Sequence, residues 1–163
     1  MTYSRLIIAP AENRHEIEVV RLFFREYAAS LDFDLRFQGF EEELSLLPCE
    51  YVSPSGCLLL AWDDKEAAGC VALRRFSGST CEMKRLFVRP KFRGCGYGRR
   101  LAEEAIRHAR EIGYRRMVLD TIGSMQAAIG LYVSLGFTEI LPYRYNPLPR
   151  ARFFGLDLEC KKN

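Results

Sequence analysis

The sequence lacks any hydrophobic run that approaches the roughly 20 apolar residues of a membrane-spanning helix. Residues 1–10 also lack the layout of a secretory signal peptide. We therefore expect a cytoplasmic protein that does not bind a membrane. The chain of 163 residues has no low-complexity tract and no long polar linker. A single domain over residues 1–163 is expected, because this length buries a sizeable core.

The cysteines and histidines do not form the patterns of a metal site or a redox motif. No two of the six cysteines stand in C-x-x-C spacing, and no cluster of His, Cys and Asp has metal-ligand spacing. We therefore expect no metal ion. Cys57, Cys70 and Cys81 lie in or beside apolar runs typical of strands, where a thiol acts as a small hydrophobe. We predict that the cysteines are reduced; the others are Cys49, Cys95 and Cys160.

Acidic residues are absent from Met83 to Ala102. The formal net charge of +3 is too small to indicate a nucleic-acid-binding protein, so the clustering of the basic residues matters more than their total. A polyanion other than nucleic acid is expected to bind this segment. Its basic residues are Lys84, Arg85, Arg89, Lys91, Arg93, Arg99 and Arg100.

Hydrophobic periodicity predicts an α/β protein with a mixed sheet, of the α+β type. Strands are predicted at residues 4–9, 57–62, 67–76, 80–88, 117–120, 137–141 and 153–158, and helices at 12–30, 40–47, 101–112 and 124–135, with Ser124 as an N-cap. The strands at 57–88 form an antiparallel meander. The unit from 80 to 120 should be a right-handed crossover between parallel strands. We expect a mostly antiparallel sheet of about seven strands with helices on both faces.

Residues 93–98 place three glycines at alternate positions before a helix. Glycine allows backbone N–H groups to converge, and a helix N-terminus adds partial positive charge, so this loop predicts an anion site. A P-loop is excluded because Arg99 and Arg100 follow the glycines in place of Lys and Ser or Thr. A Rossmann fingerprint is excluded because Arg99 stands where the third glycine is needed.

Several segments resemble the GNAT superfamily of acetyl-CoA-dependent N-acetyltransferases. Residues 93–98 (Arg-Gly-Cys-Gly-Tyr-Gly) are similar to its [QR]-x-x-G-x-[GA] signature, and residues 131–137 (Leu-Tyr-Val-Ser-Leu-Gly-Phe) are similar to its L-Y-x-x-x-G-F signature. Residues 84–90 resemble its fourth strand and the entry to its loop. The segment Asn146-Pro147-Leu148-Pro149 resembles the small, single-domain bacterial members.

The resemblance implies that acetyl-CoA is the co-substrate. It also implies that the strands at 80–88 and 117–120 splay apart, with the pantetheine arm between them and the pyrophosphate on the glycine loop. Met125 stands where family members often carry an asparagine, and Ser124 is the candidate to replace that contact. The implied cofactor-binding residues are Leu86, Phe87, Val88, Arg93, Gly94, Cys95, Gly96, Tyr97, Gly98, Arg99, Ser124, Met125, Ala128 and Tyr132.

Acetyl transfer to an amine requires a neutral amine, a polarised thioester carbonyl and a stabilised thiolate leaving group. The resemblance places Tyr132 at the position of a phenol that protonates the thiolate. Glu82 is the candidate base, and it should share a face of its strand with Lys84 and Leu86. Asp120, at the carboxyl end of a parallel strand, is the second candidate.

The acceptor cannot be read from the motifs. We expect the primary amine of a small molecule, which attacks directly in a ternary complex, because residues 12–47 and 143–152 can close a small pocket. The alternatives are a peptide or protein acceptor and a non-catalytic acyl-CoA sensor. The C-terminal strand either pairs within the chain or contributes to a homodimer. Candidates for binding an acceptor carboxylate are Arg5, Arg36, Arg144, Arg150 and Arg152.

Overall fold

The computed structural model describes residues 5–159, with the backbone alone at Phe37. The predicted positions Ser4 and Cys160 lie outside the described residues. The strands are β1 (Leu6–Pro10), β2 (Cys57–Asp63), β3 (Glu66–Ser77), β4 (Thr80–Val88), β5 (Arg116–Ile122), β6 (Thr138–Ile140) and β7 (Ala151–Asp157). The helices are α1 (Arg14–Ser30), α2 (Phe40–Leu46), α3 (Tyr97–Ile112) and α4 (Gln126–Ser134), with short 3₁₀ turns at Arg36–Gln38 and Pro90–Phe92.

Helix α1 begins two residues later than its hydrophobic pattern predicts. The Asn13 side chain accepts a hydrogen bond from the Glu16 backbone N–H at 2.9 Å, and the Glu16 carboxylate accepts one from the Asn13 backbone N–H at 3.2 Å. This reciprocal capping box fixes Asn13 outside the helix. The helix therefore starts at Arg14.

The seven strands form one sheet in the order β1-β2-β3-β4-β5-β7-β6. All neighbouring pairs are antiparallel except β4 and β5. This parallel pair is hydrogen-bonded over three positions, from Thr80↔Arg116 to Glu82↔Val118, and the two strands then diverge. The predicted mixed sheet with a splayed parallel pair is confirmed. The C-terminal strand β7 pairs within the chain, between β5 and β6.

Helices cover both faces of the sheet, as predicted. Helices α1 and α2 pack on one face through residues such as Phe23, Phe24 and Leu44, while α3 and α4 pack on the other through residues such as Leu101 and Ile129. The first five residues of β2 are all buried. A strand covered on both faces reads as a continuous apolar run, which is why β2 shows no alternation in the sequence.

A β-bulge interrupts β4 at Arg85, which has a positive φ of 57°. The register with β3 shifts here, from Ala72↔Lys84 to Cys70↔Phe87. As a result Arg85 contacts α2, whereas Leu86 packs into the core on the α3 side. The prediction that Leu86 shares a face with Glu82 and Lys84 was wrong, because the bulge shifts the alternation by one residue.

The five described cysteines form no disulfide with one another. Cys57, Cys70 and Cys81 are buried, and burial raises the pKa of the Cys57 and Cys81 thiols to about 12. Their predicted role as small core residues is confirmed. No helix within residues 5–159 is both long and apolar enough to cross a membrane.

Candidate active site

A cavity of about 780 Å³ opens where β4 and β5 diverge. One wall is formed by the part of β4 beyond its pairing with β5. The other wall is formed by the end of β5 and by α4. The end of α1, the chain that follows it, and Asn146 and Leu148 of the loop before β7 complete the lining. Both segments expected to close a pocket thus reach the cavity. The lining from the sheet and α4 consists of residues 83–88, 119–122, 124–128, 131 and 132.

The glycine loop presents unobstructed backbone at the start of α3. Gly94 and Gly96 have positive φ angles of 82° and 80°, and a Cβ at either position would have no other atom within 4 Å. No side chain caps the first turn of α3. The first N–H groups of a helix have no intrahelical partner and lie at the positive end of the dipole. Open backbone at a helix N-terminus is what the predicted pyrophosphate site requires.

Most side chains of the loop serve the fold. Tyr97 is buried, its ring stacks on Phe92, and its hydroxyl donates to Asp63 Oδ2 at 2.6 Å. Arg99 pairs with Glu103 at 3.4 Å. Any contact of Tyr97 with an anion is therefore limited to its backbone N–H.

Arg93 differs from the rest of the loop. Of residues 93–99, all of which the structure describes, it is the one that lines the cavity. Its Nε donates a hydrogen bond to the Val88 carbonyl at 3.0 Å. The guanidinium thus stands at the junction between the glycine loop and the open edge of β4.

The basic cluster of the sequence is divided among separate partners. Acidic residues distant in the sequence pair with three of its members, so these three are not free to bind a polyanion as the sequence analysis expects. The pairs are Arg85–Glu43 at 3.0 Å, Arg89–Glu26 at 2.9 Å and Lys91–Glu66 at 2.7 Å. Lys84 and Arg85 are buried on β4 rather than exposed beside the loop.

Tyr132 lines the cavity from α4 and is 8% exposed. Its ring packs against Phe137 and Phe154, with centroid distances of 5.8 and 6.4 Å. Burial raises the pKa of Tyr132, so the phenol stays protonated in the neutral pH range. This arrangement suits a proton donor held in a fixed position.

Ser124 and Met125 both line the cavity, but neither caps α4 through its side chain. The helix begins at Gln126 with Met125 as the N-cap residue, so the prediction of Ser124 as N-cap was wrong. Met125 has a φ of −85° and a ψ of 64°, and its sulfur accepts a hydrogen bond from the Thr121 hydroxyl at 3.5 Å. The turn between β5 and α4 thus fixes the residue that replaces the asparagine.

Glu82 is fully buried and is not among the residues that line the cavity. One carboxylate oxygen accepts a hydrogen bond from Arg74 Nε at 2.9 Å, and the other accepts one from the Tyr143 hydroxyl at 2.6 Å. Arg144 Nη2 lies 3.4 Å from the same carboxylate. Its contacts are those of a carboxylate that holds three segments of the chain together.

Asp120, the second candidate base, lines the cavity but is also engaged. Arg144 donates to both of its oxygens at 2.8 and 2.9 Å, and Asn146 donates at 3.1 Å. Arg144 therefore bridges Glu82 on β4 and Asp120 on β5, immediately beyond the parallel pairing. We call Arg74, Glu82, Asp120, Tyr143 and Arg144 the polar clasp.

The comparisons with known proteins agree with this geometry. Residues 18–137 match the acetyltransferase (GNAT) family. The chain belongs to this family. A Schizosaccharomyces pombe N-acetyltransferase is 36% identical over 160 residues, covering 97% of this chain and 98% of that protein. The protein is therefore an acetyltransferase.

Solved GNAT structures share the fold. An acetyltransferase from Streptococcus agalactiae superposes with a TM-score of 0.78 at 23% identity, over 95% of this chain and 99% of that one. A Salmonella typhimurium structure, described with its cofactor acetyl-CoA, gives a TM-score of 0.75 at 20% identity over 94% of each chain. GNAT enzymes use acetyl-CoA, and the cavity and the glycine loop are the features of this chain that fit it.

Sequence reasoning did not single out three residues of this GNAT site. Lys84 and Gln38 line the cavity, and Tyr143 fixes Glu82. In the sequence, Lys84 is one of several basic residues near the glycine loop and has no distinguishing feature. Gln38 lies in a short turn without a recognisable motif. Within residues 5–159, no group of three or more His, Cys, Asp or Glu side chains has the arrangement of a metal site.

Gly96→Ala is expected to weaken acetyl-CoA binding about ten-fold. The added Cβ meets no protein atom but projects into the space where the pyrophosphate is expected, and φ of 80° disfavours any L side chain. Gly113→Ala is the matched control, because it also has a positive φ, 105°, and a Cβ there would have no other atom within 4 Å, but it lies at the opposite end of α3 and outside the cavity lining. Calorimetric titration with acetyl-CoA measures both. Equal affinities in the two variants would contradict the assignment of the loop.

Proposed function

We propose that the protein transfers the acetyl group of acetyl-CoA to the primary amine of a small molecule, by direct attack within a ternary complex. The observation that carries this proposal is the splay of β4 and β5, which creates a cavity with the glycine loop near one end and Tyr132 in its lining. The open edge of β4 supplies backbone groups of Leu86, Phe87 and Val88 that can pair with the pantetheine arm like an added strand.

In this proposal the residues of the chain have distinct tasks. Arg93 and the N–H groups of residues 94–98 bind phosphate, while a backbone N–H of 86–88 stabilises the developing oxyanion. Ser124, Met125 and Ala128 form the opposite wall. Tyr132 donates its phenolic proton to the departing thiolate. Glu82 is the candidate base from the sequence. Its contacts instead indicate a structural role.

The small-molecule acceptor is supported by the closure of the cavity. Residues 30–33, 35 and 38 cover it from the chain after α1, and Asn146 and Leu148 cover it from the loop before β7. A peptide acceptor would need an open groove in place of these segments. A cytoplasmic location and the oligomeric state stay proposals that the cavity does not address.

A turnover screen tests the proposal. Purified protein with acetyl-CoA is assayed for thiol release with amino acids, polyamines, aminoglycosides and short peptides. We expect thiol release with at least one small amine and a product acetylated on nitrogen, identified by mass spectrometry. Turnover confined to peptides would contradict the acceptor class. Acetyl-CoA binding without turnover of any amine would contradict the proposed transfer.

A further inference from the structure

The cavity extends along β4 from the glycine loop towards the polar clasp. Arg93 contacts the carbonyl of Val88 at the loop end. Lys84 lies four residues earlier on the same strand, which spans about 13 Å in a regular strand and less here because of the bulge at Arg85. Lys84 and Val88 both line the cavity. The end at Lys84 is therefore the part remote from the expected pyrophosphate, where the acceptor would lie.

Lys84 is a buried amine without a hydrogen-bond or ion-pair partner among residues 5–159. Lys84 is 9% exposed and lines the cavity. Its ammonium makes no hydrogen bond or ion pair with any residue in 5–159. Removing an ammonium from water without a compensating anion is costly. A buried lysine that faces a substrate cavity thus favours binding of an anion there.

Each carboxylate near Lys84 is already matched with an arginine. Glu43 on α2 pairs with Arg85, and the two acids of the polar clasp pair with its arginines. The remaining acid of the lining, Asp32, is exposed. None of these side chains makes an ion pair with Lys84. Lys84 is therefore the basic group of the cavity lining that a bound anion can protonate and pair with.

Gln38 contributes a second unpaired group to the lining of the cavity. Its side-chain oxygen is buried without a hydrogen-bond partner among the described residues, and Gln38 lines the cavity. A buried amide oxygen needs an N–H or O–H donor. An acceptor amine provides such a donor, whereas the ammonium of Lys84 needs an acceptor of hydrogen bonds. The two groups together match a molecule that carries both an amine and an anionic oxygen.

We propose that the acceptor is an amine that also carries a carboxylate, such as an amino acid, and that Lys84 binds this carboxylate. This inference rests on the proposed function, because it names the acceptor of the same cavity. It replaces the arginines considered from the sequence, of which Arg36, Arg144 and Arg152 are committed to Asp34, Asp120 and Glu139.

The titration of Lys84 provides a signature of the binding. Burial, followed by the charge of Arg85, lowers the pKa of Lys84 to about 7. The other charged groups around it are Glu82 on β4, Glu43 on α2 and Arg144 before β7, with Asp120 and Tyr27 in the same lining. A bound carboxylate favours the ammonium, so binding at pH 8 should take up close to one proton per site. Below about pH 6, Lys84 is already charged and the uptake should disappear.

The first experiment compares acceptors in which the carboxylate is replaced by an amide, a change that also leaves more of the amine neutral and so acts against the expected preference. Thiol release is measured with amino acids and with the corresponding amino acid amides. We expect kcat/KM to favour the acids by about ten-fold or more. In Lys84→Met this preference should fall to near unity, mainly through a higher KM for the acids, and Lys84→Arg should retain part of it. Lys65→Met, which changes an exposed lysine between β2 and β3, should keep the full preference.

The second experiment does not depend on turnover. Protein saturated with CoA is titrated with N-acetyl-leucine, N-acetyl-glutamate and their amides in buffers of different ionisation enthalpy. We expect tighter binding of the acids, with proton uptake at pH 8 that is lost in Lys84→Met. Thermal unfolding and acetyl-CoA affinity confirm that the variant is folded, which is expected because methionine removes an unpaired buried amine.

The outcomes separate this inference from the proposed function. Amides that bind and react as well as the acids would overturn the carboxylate proposal while leaving acetyl transfer intact. A loss of kcat in Lys84→Met that is equal for acids and amides would also overturn it, since it would indicate a base at Lys84. No affinity for acetyl-CoA in the wild-type protein would instead defeat the proposed function itself.

Discussion

Replacement of Tyr132 by phenylalanine is expected to lower kcat about a hundred-fold while the affinity for acetyl-CoA stays within about two-fold. The substitution removes one oxygen and leaves the ring in its packing against Phe137 and Phe154. The donor for the thiolate is then missing, and the thiolate must leave without protonation by the protein. In the proposed site, acetyl-CoA binds mainly to β4 and the glycine loop, which the substitution does not change.

Steady-state thiol release gives kcat, and calorimetry gives the affinity. Tyr114→Phe is the matched control, since its hydroxyl donates to the Ser55 carbonyl and Tyr114 is not part of the cavity lining. This control should retain the wild-type kcat despite its own loss of a buried hydrogen bond. A Tyr132→Phe variant with unchanged kcat at saturating substrates would remove Tyr132 from the mechanism.

Glu82→Gln is expected to lower the free energy of unfolding by about 3 kcal/mol. The change keeps the size of the side chain but removes the fully buried carboxylate that Arg74 and Arg144 share, so that Arg74 keeps only Glu50 and Arg144 only Asp120 as acidic partners among the described residues. It also leaves the Tyr143 hydroxyl beside a weaker acceptor. Chemical denaturation followed by circular dichroism measures the loss. In the matched control Glu66→Gln, the affected pair with Lys91 is exposed, so the change should stay below about 1 kcal/mol.

The same variant discriminates between the two roles of Glu82. If Glu82 only stabilises the fold, its replacement leaves the acidic limb of the pH–rate profile unchanged. If Glu82 is the catalytic base, its replacement removes the acidic limb, because that limb reports the titration of the base. We expect the limb to persist in Glu82→Gln at a temperature where the variant is fully folded. Disappearance of the limb with unchanged stability would show that Glu82 is the base.

The secondary structure was predictable because each element carries a local signal. The strand Thr80–Val88 has the predicted bounds, and α2 differs by one residue. The residue types of the glycine loop were sufficient to predict an anion site there. Membership of the GNAT family followed from two short signatures at the right separation, and the family match covers both.

The side-chain partners were not predictable, because they depend on contacts between residues distant in the sequence. Glu82 looked available on an open strand, but Tyr143 reaches it from 61 residues further along the chain. Lys84 looked like one more loop charge, but β4 is covered on both faces. The bulge at Arg85 has no sequence signal either, since it is defined by the register with β3. These three facts decide which groups face the cavity.

The three-residue parallel pairing acts as the vertex of the angle between β4 and β5. The separation of two diverging strands increases with distance from their vertex. A small rotation at the vertex therefore changes the width of the cleft most at its far end. Arg144 spans this vertex and contacts Glu82 and Asp120 with one nitrogen. Glu82, Arg74 and Tyr143 lie outside the cavity lining. Attempts to broaden the range of acceptors can therefore begin with residues outside the cavity lining, because substitutions there are expected to alter the width of the cleft.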